Sequence, residues 1–363
     1  MVPVQGGATS PSSLRTIAFH LPQFHPIPQN DEWWGAGFTE WTNLAKARSL
    51  FRGHHQPLLP GELGFYDLRL QETRHAQAAL AQQHGVSAFC YWHYWFAGRR
   101  LLADPVDALL APGEPDLLFC LAWANQTWTG IWHGAPGRVL MEQTYPGMAD
   151  EQAHFAAVLP FFRDPRYLCI DGRPLFYVFR PEQIPDVAGW CELWQRMARE
   201  AGLPRLYLIA EVSDLLGRGP VWNDVEVSGF DAGVYVRIPV SDTPADVLRM
   251  RLRRKLRGGP EVYPVTARLP TPPADCVQHL PCVYPNWDNT PRSGKRGVVL
   301  TGTSPAVFEA HLGDGLQRLT GRPPQEQLLF IKSWNEWAEG NHLEPDAVHG
   351  RAWLQALRRQ VQA

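Results

Sequence analysis

Two carboxylates, Glu336 and Glu339, lie three residues apart among tryptophans in the stretch IKSWNEWAEGNHLEPD, Ile331–Asp346. Carboxylates beside indole rings are costly to desolvate unless they are paired or used. Two carboxyl groups in one aromatic cleft are what glycosidic-bond chemistry requires, one kept ionised and one kept protonated. If the backbone is helical there, the spacing sets both on one face. The plain alternative is a solvated first helical turn, where acids favour the N-terminal end; the interleaved Trp334 and Trp337 weigh against it. Glu344, before Pro345, reads as a loop acid behind the pair. Glu211 ends the apolar run LYLIAE and is a third carboxylate, with either a direct role or an ion pair to a barrel arginine.

Those acids follow an apolar run, Leu328–Lys332, that reads as a buried strand. Similar runs recur at Thr16–Leu21, Ala88–Tyr94, Leu117–Trp123, Leu175–Phe179, Leu206–Ala210, Ala232–Val236 and Pro281–Pro285. Between them the patterning predicts helices over Leu68–His84, Val106–Ala111, Met148–Phe162, Val187–Ala201, Pro244–Leu256, Ser304–Leu319 and His349–Gln362, with only a weak one in Val212–Phe230. Eight strands alternating with helices predict a (β/α)₈ TIM-type barrel with long βα loops, Pro22–Tyr66 being the longest. Residues 1–15, rich in Gly, Pro and Ser, read as a disordered leader, and 16–363 as a single catalytic domain.

A barrel places its functional groups just after each strand. His20 and Gln23 follow the first; His93, Tyr94 and Trp95 end the second; Trp123, Asn125 and Trp128 follow the third. Arg180, Glu211 and Arg237 follow the next three, then Trp287, Asp288 and Asn289, and finally Asn335, Glu336, Trp337 and Glu339. Trp41, in the long loop, joins them as a candidate binding residue.

Composition narrows the chemistry. The 363 residues are 45% hydrophobic and 19% charged with a formal net charge of −2, which gives no electrostatic case for nucleic-acid binding. The 15 tryptophans are the anomaly. An indole offers a flat apolar face and one N–H, which suits a sugar ring, although large core filler is the bland reading. The six cysteines form no C-x-x-C, and Cys90, Cys120 and Cys169 lie in or beside apolar runs as small buried hydrophobes do. His54, His55 and His93 lack H-E-x-x-H or H-x-H spacing, so no metal is expected. No G-x-G-x-x-G, P-loop, G-x-S-x-G or Asp-x-Asp occurs, so no cofactor is expected either. With no apolar core in its leader and no span-length run, the chain is expected in the cytoplasm. The basic run Arg249–Arg257 reads as a solvated helix face; the alternative is a patch for anionic lipid or glycan phosphate, a weak peripheral membrane contact. Oligomeric state is open.

The motifs AFHLPQFHPIPQNDEWWGAGFTEWTN (Ala18–Asn43), GHHQPLLPGELGFYDLR (Gly53–Arg69), FCYWHYWFAGRRLL (Phe89–Leu102), CLAWANQTWT (Cys120–Thr129) and WNEWAEGNHLEPD (Trp334–Asp346) resemble the WbsX family. Those proteins occur in bacterial O-antigen and capsule gene clusters and are labelled glycosyltransferases or glycoside hydrolase family 99-like. A more distant resemblance is to family 99 endo-α-mannosidases, which are (β/α)₈ barrels. The resemblance implies that Glu336 takes the proton of the substrate 2-hydroxyl, giving a 1,2-anhydro sugar with retention. Glu339 would protonate the leaving group and then activate water. Ala338 stands where those hydrolases commonly have His. The implied function is a retaining endo-glycosidase or transglycosidase acting on an oligosaccharide or polysaccharide. The alternatives are a glycosyltransferase of O-antigen or capsule assembly and a non-catalytic glycan-binding barrel.

Overall fold

A computed structural model describes residues 14–362 apart from 131–134, 214, 218, 242 and 275–277. Most of the expected leader, residues 1–13, and Cys276 lie outside the described residues; Arg15 already belongs to the first strand.

Eight parallel strands form the core: β1 (Arg15–His20), β2 (Ala88–Phe96), β3 (Leu118–Trp123), β4 (Arg173–Val178), β5 (Tyr207–Glu211), β6 (Ala232–Tyr235), β7 (Leu280–Val283) and β8 (Leu328–Ile331). Each pairs with its sequence neighbours, and β1 pairs with both β2 and β8, so the sheet closes into a barrel. The expected (β/α)₈ architecture is the one observed. All nine residues of β2 are buried, because one face points into the barrel and the other lies under helices.

The connections hold α1 (Pro28–Trp34), α2 (Glu40–Lys46), α3 (Gln71–Gln83), α4 (Met148–Phe162), α5 (Val187–Glu200), α6 (Pro244–Arg257), α7 (Pro305–Leu319) and α8 (Ala352–Val361). Their sequences explain them locally. In α3 the buried Arg74, Gln77, Ala78 and Ala81 recur at helical spacing. Asp186 and Ser304 cap α5 and α7 by accepting from the N–H groups of Gly189 and Val307 at 3.0 and 3.3 Å. Two connections differ from strict alternation. Between β2 and β3 the helix expected at Val106–Ala111 is one turn, Asp104–Asp107, followed by a 3₁₀ turn over Ala108–Leu110. Between β5 and β6 the described residues hold only turns, in a segment broken by Gly217, Gly219 and Pro220.

Strand parity decides what reaches the barrel interior. Phe19, Trp92, Tyr177 and Phe330 meet inside, with Phe19 stacked on Trp92 at 4.9 Å and edge-on to Tyr177 at 5.1 Å. Their chain neighbours face outward: His20 meets Phe89 and Tyr91, and Phe176 stacks on Trp194 of α5 at 4.8 Å. Cys90, Cys120, Cys191 and Cys282 are buried free thiols, whereas Cys169 is exposed on a short hairpin, against the expectation for it.

Candidate active site

After β8 the chain makes a small hairpin. Asn335–Glu336 pairs antiparallel with Asn341–His342 around a single 3₁₀ turn, Trp337–Glu339. The acids therefore share a tight loop rather than the helix face their spacing suggested. Gly340 closes that turn at φ 59°, and a Cβ there would lie 3.0 Å from both the Cβ and the backbone N of Asp288, so only glycine fits. The Asp288 N–H donates to the Glu339 carbonyl at 2.7 Å, which ties the loop to the segment after β7. Asn335 ties it to the segment after β1, accepting from the Leu21 N–H at 2.7 Å and donating to the Leu21 carbonyl at 3.0 Å.

Glu336 and Glu339 are 5% and 7% exposed, and each carboxyl acts on the other's protonation. Burial drives Glu339 well above the ordinary carboxyl range, and the charge of Glu336 drives it further. Burial also pushes Glu336 upward. The neighbouring Glu339 carboxyl, the charges of Arg292 and Lys332, and the Trp92 N–H outweigh that and hold it below its ordinary value. Trp92 Nε1 donates to Glu336 Oε1 at 2.9 Å. The two are thus pushed in opposite directions, Glu339 toward its protonated form against the pull of Arg292, and Glu336 toward its ionised form.

Two cations that sequence reasoning missed complete the site. Arg292 lies in the short turn Thr290–Ser293 after β7. It donates to Glu339 Oε1 at 2.7 Å and to Glu40 Oε1 at 2.5 and 3.1 Å, and it stands 3.9 Å from Glu336. Glu40 is fully buried and also accepts the Ala338 N–H at 3.2 Å. Lys332, the residue after β8, sits over the rings of Phe19, Trp92 and Phe179 and 3.8 Å from Glu211. Burial alone would lower its pKa, but Glu211 and Glu336 raise it, so it stays charged. Arg292 could have been suspected from its place just past Asp288–Asn289, and Lys332 from a lysine ending a strand otherwise made of Leu, Phe and Ile.

Beside Arg292 opens a pocket of about 140 Å³, lined by Gln23, Trp33, Trp34, Phe38, Tyr94 and Trp128 among others. Trp128 meets Trp33 and Tyr94 edge-on at 6.0 and 4.9 Å. Burial raises the Tyr94 phenol, and the charge of Glu336 raises it further against the pull of Arg292. A larger cavity of about 240 Å³ is lined by His54, His55, Asp288, His342, Asp346 and His349, with His54 paired to Asp288 at 2.7 Å.

The other sequence candidates divide by direction. Gln23, Tyr94 and Trp128 line the smaller pocket. Glu211 faces the barrel interior, accepting from the Tyr177 hydroxyl at 2.8 Å, and burial raises its pKa against the pull of Lys332. Glu344 is fully buried behind the hairpin. It accepts from Gln77, Tyr66 and Trp337 at 2.6, 2.8 and 2.7 Å, and burial raises it to about 7 against those bonds. Trp337 stacks on His342 at 3.8 Å, and Trp41 packs on Trp337 while donating to the Tyr66 carbonyl at 2.8 Å, so these two brace the loop. Asn125 clamps Arg180, bonding its N–H and carbonyl at 2.7 Å each. Trp287 is buried against Tyr284.

His20, His93 and Trp123 are not brought to the acids. His20 bonds Gln77 of α3 at 3.2 Å, and burial lowers it to about 3. His93 meets His154 of α4 at 2.9 Å. Trp123 stacks on Trp190 of α5. Each sits at a strand end but on the outward face. Several tryptophans are likewise scaffold: Trp190 and Trp194 both donate to Glu151 at 2.8 Å between α4 and α5.

The fold and the site together define a (β/α)₈ barrel with two buried carboxyls, Glu336 and Glu339, in the loop after its last strand. The sequence matches the family model described as Glycosyltransferase WbsX over residues 16–357, and the chain belongs to that family. It is 40% identical over 357 residues to an uncharacterised protein named WxcX from Xanthomonas campestris pv. campestris strain B100, and 40% identical over 356 residues to WxcX of strain ATCC 33913. These alignments cover 97% of this chain but 50% of the relatives, so the chain spans about half their length. Among solved structures, a glycoside hydrolase-like protein superposes with a TM-score of 0.61 at 12% identity, covering 96% of this chain and 94% of the other. The family 99 endo-α-mannosidase from Bacteroides thetaiotaomicron superposes with a TM-score of 0.54 at 15% identity, covering 96% of each chain. These likenesses show the fold.

Proposed function

We propose that this chain acts on a glycosidic bond of an oligosaccharide or polysaccharide through Glu336 and Glu339, with residues 16–363 as one catalytic unit. The observation that carries this reading is two buried carboxyls on one tight hairpin, with Trp92 donating to Glu336 at 2.9 Å and Arg292 donating to Glu339 at 2.7 Å. Burial pushes Glu339 up, while nearby positive charge and the Trp92 N–H hold Glu336 down. Glu336, as base, takes the 2-hydroxyl proton, and the freed oxygen attacks the adjacent anomeric carbon. The glycosidic bond breaks as Glu339 gives its proton to the departing oxygen. Glu339, now a carboxylate, draws a proton from an incoming hydroxyl that opens the 1,2-anhydro ring, and the ring oxygen recovers its proton from Glu336. Retention results from the two inversions. Arg292, at 2.7 Å from Glu339, steadies the charge that this acid acquires after its proton leaves. The tryptophan-lined pocket supplies flat apolar faces for sugar rings.

The family description favours a second reading of the same site: the incoming hydroxyl belongs to a sugar rather than to water, and the reaction is transfer. Both readings share the first half-reaction. A screen of bacterial surface polysaccharides with products read by mass spectrometry separates them, shortened chains marking hydrolysis and exchanged or lengthened chains marking transfer. In either case Glu336→Gln and Glu339→Gln each lower turnover about 10²–10⁴-fold with the fold intact. Near-wild-type turnover in either variant removes the assignment. Tight binding of a nucleotide sugar in calorimetry would replace it with a donor-dependent transferase.

A further inference from the structure

Helix α6 begins at a well-formed cap: Pro244 fills its first turn, and Thr243 Oγ1 accepts from the Asp246 N–H at 3.2 Å. Its second half, RMRLRRKLR over 249–257, holds six Lys or Arg and no acid, in a chain whose net charge is −2. A helix packed on a barrel should turn its leucines inward. Here Met250 packs against the core, while Leu248 and Leu252, one turn apart on a single face, are 66% and 53% exposed. A lone exposed leucine is ordinary. Two on one face of the most basic helix of the chain are the pattern of a helix that lies in a membrane interface. With 14 residues, α6 suits lying on a bilayer and is too short to cross one.

Contacts tie the helix to the segment after β7. Arg254 pairs at 2.8 Å with Glu261, on the strand Glu261–Pro264 that runs parallel to Val298–Thr301. The Val298 N–H donates to Asn289 at 2.7 Å, and Asn289 starts the turn that carries Arg292. The helix therefore rides on the same framework as the barrel mouth.

We propose that α6 docks this chain on an anionic phospholipid surface, with Leu248 and Leu252 entering the interface and the net positive charge of the helix drawing it there. Charge complementarity selects this occupant over a neutral apolar partner, since a segment with six cations and no acid is attracted to an anionic surface and not to an uncharged one. The inference does not depend on the roles of the two acids.

The test is co-sedimentation of the full chain with vesicles of phosphatidylcholine, with and without phosphatidylglycerol, at low and high salt. Binding is expected only with phosphatidylglycerol and weakens as salt screens the charges. The double variant Leu248→Ser, Leu252→Ser, altered only at exposed positions and checked by circular dichroism, should bind about tenfold or more weakly because its apolar insertion is lost. Absence of binding to the anionic vesicles overturns the proposal. So does binding that the double variant leaves unchanged, which is adsorption by charge alone. A concentration-dependent dimer that the variant abolishes assigns the leucines to a second copy, and retention of a soluble anionic glycan without vesicle binding assigns the basic run to sugar; either result overturns it too.

Discussion

Trp92→Phe isolates one interaction that acts on Glu336, the base of the proposed reaction. The change removes a single N–H and keeps an aromatic ring to stack on Phe19, now at 4.9 Å. The lost bond is the 2.9 Å donation to Glu336 Oε1, between two buried side chains. A hydrogen bond to a charged group contributes about 1.5–3 kcal/mol. At about 1.4 kcal/mol per pH unit, the acidic limb of kcat/KM should move up by about one to two units. The direction follows from which form the bond favours: without the donor the ionised carboxylate is less stable, so Glu336 takes up its proton at higher pH. Stability should report the same change without a substrate. Because the folded protein holds Glu336 below its ordinary value, this group contributes stability that is present above the unfolded-state pKa and lost as pH falls. The variant should therefore be less stable than wild type near neutrality by roughly that 1.5–3 kcal/mol plus a constant packing loss, and the gap should narrow toward acid. The measurements are a pH–rate profile on the substrate found by screening, and unfolding at paired pH values. An unmoved acidic limb with a pH-independent stability loss would refute the role given to the Trp92 N–H.

Other outcomes follow from the same charges. Arg292→Met leaves the fully buried Glu40 without its 2.5 Å partner and should cost about 3–5 kcal/mol, read as a lowered unfolding midpoint. Adding Glu40→Gln should recover part of that loss; strict additivity of the two single effects would show that the residues are not coupled. Glu344, raised to about 7, favours its protonated form in the folded chain. Stability should therefore fall as pH rises from the unfolded carboxyl value to about 7, by on the order of 3 kcal/mol, and level off above it. Glu344→Gln should flatten that part of the profile, and a retained slope would assign it to another group.

The order of the barrel was legible because each strand is a short apolar run between turn signals, and strands that are buried on both faces must be apolar throughout. That same property hid which way each residue points. His20, His93 and Trp123 were placed correctly along their strands, yet each lies one residue out of phase with an inward neighbour such as Phe19 or Trp92, and so faces α3, α4 or α5. Tryptophan content was ambiguous for a related reason. An indole N–H satisfied by Glu336 and one satisfied by Glu151 look alike in sequence, and only packing tells a barrel mouth from a helix–barrel seam.

The sequence by itself determined the two acids, their aromatic surroundings and their position after the last strand, since composition and spacing are local properties. The tertiary structure decided their difference. Glu336 and Glu339 are chemically identical, and no local pattern says which keeps the proton. It depends on groups brought from elsewhere in the fold: Trp92 from β2 donates to Glu336, Lys332 from the end of β8 lowers both acids, and Arg292, held by Glu40 from α2, bonds Glu339 and offsets part of its rise. Glu40 and Arg292, which pair directly, lie 252 residues apart in the chain. Electrostatic asymmetry depends on distance through a low-dielectric interior, and closing the barrel is what makes those distances short.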